Sequence, residues 1–360
     1  MLVVTFANMF SFETGVEVRP KPLSRIDIPA TETQPRTGAK LKIASGELSR
    51  FAQEIKAVEF NQPLDNWIRR YEKCGQRGRF LWQWCAKGVR LTTLPCVDAS
   101  LRDDVYETKM LSILFGTLID DIADQEQDRE MLESAIAIEQ IDFRRDSLVP
   151  WDERRRIYIE TISDLWTEVW NRCKKYPRFS TYEHLLRFDN QQILNAMRYA
   201  LLVNERPSLL NIIEHDHYQP HNMQIMFMST VDLCASPTFD LRELGLARQV
   251  FWHAQRMGRI GNMITTWERE VLDRDFSSGV FAHAINRGYI QPADLSALPA
   301  HEIMTILEEA GCQEHFISEW EGHRDHIQHK ISQIHSVNLD PYLAAFEHLI
   351  KLHLCSRGLM

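Results

Sequence analysis

The sequence predicts an all-α protein built as a single helical bundle, and three observations predict it. From Gly46 onward, apolar residues recur at helical spacing through long runs. Alternating β-branched runs bounded by turn dipeptides, the mark of strands, are almost absent. The breaks are short and fall at Pro95, Pro150, Pro177, Pro207, Pro220 and Pro237, where a missing N–H and a fixed φ end a helix.

Taken in order, helices are expected over 48–58, 62–73, 78–90, 101–128, 130–141, 151–175 and 180–203. They continue over 208–218, 221–234, 241–274, 278–287, 293–310, 313–336 and 339–355. Ahead of them, residues 1–47 carry Pro20, Pro22, Pro29 and Pro35 among Thr, Arg and Lys with little periodicity. That composition predicts a loose tail or strap, leaving 48–360 as the all-α domain.

Composition excludes several classes. A net charge of −9 argues against a nucleic-acid partner, which wants a basic face. The Lys and Arg residues form no cluster that would draw the chain to an anionic membrane, and no apolar run is long enough for a bilayer span. The N-terminal MLVVTFANMF lacks the basic region and small-residue cleavage site of a signal peptide. The seven cysteines are scattered singly with no CxxC pair, which fits reduced thiols better than a disulfide framework or zinc site. A cytoplasmic location is expected.

Two stretches carry chemistry. In RMGRIGNMITTWEREVLDRD (256–275), a helix places Arg259, Asn262, Thr266, Arg269 and Glu270 within an arc of about 100°. Ile260, Ile264, Trp267 and Val271 gather on the opposite side. An amide, a hydroxyl and a carboxylate one turn apart offer oxygen donors to a hard cation such as Mg²⁺, and two arginines on the same stripe offer donors to phosphate. The second stretch, MLSILFGTLIDDIADQEQDRE (110–130), sets Asp120 and Asp124 one turn apart with Asp121 about 100° round. Acids this close repel unless a cation lies between them. Ile113, Gly116 and Thr117 lead up to them as walls for an apolar pocket, to which Trp82, Trp84 and Trp252 are further candidates. A polar stripe is often only a solvated face, and an Asp-rich helix end only a cap or turn. Two metal-capable stripes in one chain weigh more than either alone.

Together they resemble the two signatures of class I terpene cyclases. The DDxxD motif is matched by Asp120, Asp121 and Asp124, and the (N/D)DxxSxxxE motif by Asn262, Thr266 and Glu270, with Met263 where an Asp is common. Arg259 stands where many cyclases place a diphosphate-binding arginine, and Arg269 where a Lys often precedes the Glu. The wording IGNxxxTWERE with DFSSGV (275–280) looks most like bacterial diterpene cyclases. One departure stands out: EHDHYQPHNMQIMFM has no arginine where an upstream sensor is often found, leaving His221, Asn222 or Arg198 to take its place.

The resemblance implies a bundle around a blind apolar cavity and Mg²⁺, three ions in all, held by Asp120, Asp121, Asp124, Asn262, Thr266 and Glu270. It implies a prenyl diphosphate substrate, C20 favoured and C15 the alternative, contacted by Arg259, Arg269, Arg198, Asn222, Ile113, Gly116 and Thr117. The expected reaction is ionisation of that diphosphate and cyclisation of the carbocation. A prenyl diphosphate synthase or class II cyclase would act upstream, and a homodimer is one assembly open to the chain. Rival readings are a prenyl chain-elongating transferase, a phosphohydrolase using His215, Asp216 and His217, and a non-catalytic scaffold. The histidines His323, His326 and His329 are expected on a solvated face.

Overall fold

A computed structural model describes residues 45–139 and 152–358, the first few by backbone alone. The expected tail therefore lies outside the described residues, apart from the few that open the first helix. The helices, in chain order, are α1 (Ser45–Lys56), α2 (Gln62–Tyr71), α3 (Arg79–Thr92), α4 (Arg102–Asp121) and α5 (Arg129–Ala137). They continue as α6 (Glu153–Cys173), α7 (Phe179–Glu205), α8 (Ile212–Tyr218), α9 (Ile225–Cys234) and α10 (Leu244–Asp273). The last five are α11 (Gly279–Asn286), α12 (Asp294–Ala297), α13 (Ala300–Glu309), α14 (Cys312–Ile331) and α15 (Asp340–Cys355). No strand occurs among the described residues, and no helix among them is long and apolar enough to cross a membrane.

Of the boundaries that differ from expectation, two have a clear local reason. The helix expected over 293–310 is divided, because Pro299 begins a new one by capping α13 from an extended conformation. The helix expected over 101–128 keeps α-geometry only to Asp121, then winds as a π-turn over Ile122–Glu126 and stops at Gln127, which has a positive φ of 48°. Such i→i+5 turns recur at functional sites, and this one carries Asp124. Asp128 then caps α5, its carboxylate accepting from the Met131 amide at 3.0 Å.

Helices α4 and α10 run through the interior. α4 packs on α6 and α3, and α10 packs on α14, α15 and α9. α9 is buried at every position, so its near-continuous apolar run IMFMSTVDLC needs no polar face. Phe115, Trp166 and Trp170 stack with centroids 5.0 and 5.5 Å apart, fastening α4 to α6. A buried ion pair holds the opposite side: Lys109 Nζ donates to Asp232 at 2.6 Å, and the Leu94 amide donates to the same carboxylate at 2.9 Å. Asp232 thus ties α9 to α4 and to the end of α3, and the stretch 229–240 belongs to the framework.

Candidate active site

The cavity that matters, about 260 Å³, lies between α3, α4, α10, α15 and the short 3₁₀ turn Gln219–Met223 before α9. α4 contributes Ile113, Thr117 and Asp120 from one face, and the π-turn that follows it contributes Asp124. α10 contributes Arg259, Asn262, Thr266, Arg269 and Glu270. The two stripes, far apart in sequence, therefore line one cavity. α3 and α15 complete it with Phe80, Leu81, Trp84, Val89 and Leu349.

The α10 stripe is hydrogen-bonded along its own helix. Arg259 Nη1 donates to Asn262 Oδ1 at 3.1 Å, and the Thr266 hydroxyl lies 2.8 Å from Glu270 Oε1. Glu270 Oε2 and Arg259 Nε are left as buried groups with no protein partner. On α4, Asp120 Oδ1 accepts from Asn222 Nδ2 at 2.9 Å, and Arg77 Nη2 stands 3.8 Å from Oδ2. Asp124 Oδ1 has no donor.

Electrostatics follows from this crowding. Burial, then the neighbouring Asp275 and Asp120, pushes Asp124 well above the usual carboxylate range. Burial raises Asp120 against the pull of Arg77, and burial followed by Asp275 raises Glu270. The site holds more negative charge than its own arginines neutralise.

Several expected residues fall elsewhere. Asp121 is 2% exposed and off the cavity, because a residue 100° round from Asp120 faces α2. Both its oxygens are taken, Oδ2 by the Tyr71 hydroxyl at 2.5 Å and Oδ1 by Arg77 Nε at 2.7 Å, so it is not placed to bind an ion. Arg198 turns away to Glu133 on α5, making a two-pronged pair at 2.7–3.2 Å, and does not line the cavity. Gly116 is not a wall either: a Cβ there would sit 2.1 Å from Gln224 Nε2, so its bareness makes room for that amide. Trp82 packs against Tyr71, and Trp252 against His221, leaving Trp84 as the cavity's tryptophan. Of the three C-terminal histidines, His323 turns inward to within 2.8 Å of His253. His215 pairs with Asp216, which in turn pairs with Arg256, and neither His215 nor Asp216 lines the cavity.

Among the charged and imidazole side chains that line the cavity, Arg77, Asp275 and His353 were not expected. Asp275 gets there by the way α10 ends. Arg274 takes a positive φ of 55°, and the Asp275 amide turns back to donate to the Glu270 carbonyl at 2.9 Å, a Schellman closure without glycine. Asn204 Nδ2 then holds the Asp275 carboxylate at 3.2 Å. The nearest signal in the sequence was the DFSSGV stretch that Asp275 opens; Arg77 and His353 carried none.

No protein-family model matches the chain, and no curated protein matches it. Solved structures do. The chain is similar to isoprene synthase from leaves of the grey poplar, Populus x canescens, with 12% identity over 86% of this chain and 54% of that one, at a TM-score of 0.55. It is also similar to linalool/nerolidol synthase from Streptomyces clavuligerus in complex with 2-fluorogeranyl diphosphate, with 10% identity over 85% of this chain and 97% of that one, at a TM-score of 0.50. The fold is that of the class I terpene synthases. The chain spans about half the length of the poplar protein.

Proposed function

We propose that the protein is a terpene synthase that ionises a prenyl diphosphate with Mg²⁺ and closes the resulting carbocation within the cavity. The single observation that carries this reading is the convergence of the Asp120–Asp124 and Asn262–Thr266–Glu270 stripes on one cavity with an apolar wall. A divalent ion suits the donors present. Asp124 Oδ1 and Glu270 Oε2 are buried acceptors without a protein donor, and the surrounding carboxylates repel. Among the described residues, no three His, Cys, Asp or Glu side chains form an ion-binding group by themselves, so substrate oxygens would complete the coordination.

Asp120, Asp124, Asn262, Thr266 and Glu270 would hold the metal, which supplies charge neutralisation for a departing diphosphate. Arg259, Arg269 and Arg77 face the same space and offer fixed guanidinium donors to phosphate oxygens. Trp84, Phe80, Leu81 and Leu349 exclude water from the cation, and the aromatic faces favour positive charge beside them. A chain-elongating transferase is less well supported, because α10 presents Asn, Thr and Glu in place of a second Asp-rich motif. His215, on which a phosphohydrolase would be centred, does not line this cavity.

On substrate length, a linear or bicyclic C20 diphosphate is the favoured reading and a C15 diphosphate the alternative, and the products decide between them. The test is incubation with linear C15, linear C20 and bicyclic C20 diphosphates plus Mg²⁺, followed by gas chromatography and assay of free diphosphate. The reading expects a hydrocarbon or alcohol with stoichiometric diphosphate, and the ratio of C20 to C15 rates fixes the chain length. Longer diphosphates would mark an elongase, inorganic phosphate a phosphohydrolase, and no reaction with any substrate would refute the proposal.

A further inference from the structure

We infer that His353 is the group that ends the reaction, accepting a proton from the carbocation inside the cavity; this rests on the prenyl diphosphate reading above. His353 lies on α15 one turn after Leu349, and both line the cavity beside Trp84. The imidazole is 1% exposed, its centroid 4.5 Å from the Trp84 ring. Room for it is made by Gly261 of α10, where a Cβ would stand 2.7 Å from Cδ2 and 3.2 Å from Nε2.

What sets this histidine apart among the described residues is that both Nδ1 and Nε2 are buried and neither has a hydrogen-bond partner in the protein. Other histidines in the bundle use a ring nitrogen: His215 pairs with Asp216 at 3.1 Å, and His253 with His323 at 2.8 Å. A buried polar group without a partner destabilises a fold, and a phenyl ring would fill the same space without that penalty. A packing role therefore does not explain an imidazole here. Burial pushes it down to about 3, so the ring is neutral near pH 7 and one nitrogen keeps a free lone pair. A lone pair in an apolar wall next to an indole face is where a cation can be held and then relieved of a proton.

The step balances. A C–H bond adjacent to the cationic carbon breaks, and its electron pair becomes the second bond of a C=C. The proton passes to the free ring nitrogen, and the positive charge moves from carbon to imidazolium. Because burial disfavours the imidazolium, it releases the proton readily to the diphosphate co-product or to water as the product leaves.

The experiment compares wild type with His353→Phe on linear C15 and C20 prenyl diphosphates with Mg²⁺, reading diphosphate release, product ratio and melting temperature. His348→Gln serves as control, since His348 lies on the same helix but packs edge-on against Phe51, away from the cavity. The expectation is that His353→Phe still releases diphosphate, while the share of the wild-type alkene falls at least about tenfold in favour of other isomers or an alcohol. Its melting point should rise by about 2–4 °C as the orphan nitrogens are removed. A purely structural histidine would lower every product together and lower the melting point. Should His353→Phe fail to fold, Gly261→Ala displaces the ring while keeping it, and the same change in product ratio is expected. A wild-type product ratio in the folded variants, or a wild type that makes only an alcohol, overturns the role of His353 while leaving the diphosphate chemistry standing. No diphosphate release by the wild type itself overturns both.

Discussion

The two stripes of candidate metal ligands face one cavity, yet they are held in opposite ways. On α10 the side chains satisfy one another along a single regular helix: Arg259 with Asn262, and Thr266 with Glu270. On α4 the acids depend on other parts of the chain, Asp120 on Asn222 and Arg77, and Asp124 on no donor at all, just where the helix loosens into a π-turn. A stripe that is paired within its own helix is preorganised, because its geometry follows from the backbone. The stripe at the loosened helix end leaves Asp124 without a donor, open to a charge from outside the protein.

The largest effects should come from separating the acids that face the cavity from the one that does not. Asp124→Asn removes an unpartnered, repelled carboxylate. Turnover should fall by about 10²–10³, as for loss of one preorganised electrostatic group, while the metal-free melting point holds or rises. Asp121→Asn should do the reverse. It strips Arg77 of its buried partner and costs about 3 kcal/mol, visible as a drop of roughly 5–10 °C that Mg²⁺ does not restore. Parallel melts and rates of the two variants check this; equal behaviour would show that the neighbouring aspartates share one role.

A smaller effect concerns pH and the apolar wall. Burial holds His353 at about 3 against an unfolded value near 6.5, so between these the unfolded chain binds the extra proton. The stability this neutral imidazole carries is whole above about pH 6.5 and is lost as pH falls, by about 2 kcal/mol at pH 5. Denaturant melts of wild type and His353→Phe should therefore diverge from pH 7.5 to pH 5, the variant gaining. A constant difference across that range would place the ring in a less apolar setting than the structure shows.

Much of the bundle was legible because helical periodicity and proline breaks are local signals, and α10 was legible in detail because a stripe of polar residues at 3.6-residue spacing stays a stripe. Asp121 was read as a ligand because its partners, Tyr71 at the end of α2 and Arg77 in the turn after it, are distant in sequence, and no local pattern announces a contact across that distance. Arg198 was offered as a sensor on charge alone, and charge alone does not say that Glu133 is nearer. Asp275 was hidden by the left-handed Arg274, since a helix normally signals such a reversal with glycine. His353 was hidden because it and His348, five residues apart, fall on different faces of one helix and form no pattern to read.

The smallest expected effect tests the shape of the apolar wall. Gly88 lines the cavity from α3, and a Cβ there would make only an ordinary contact, 3.5 Å from Leu349 Cδ1. Gly88→Ala should stabilise the helix by roughly 0.5–1 kcal/mol while lowering the C20-to-C15 rate ratio. An unchanged ratio would mean that α3 does not limit chain length.

The central claim is that both stripes act on one Mg²⁺-bound diphosphate, and calorimetric titration of diphosphate into the protein addresses it without any turnover. Wild type should bind only when Mg²⁺ is present. Asp124→Asn and Glu270→Gln should each weaken binding at least about tenfold and recover partly as Mg²⁺ rises, whereas Arg259→Ala should weaken it without recovery. Diphosphate binding that ignores Mg²⁺, or wild-type affinity in both carboxylate variants, would contradict the account.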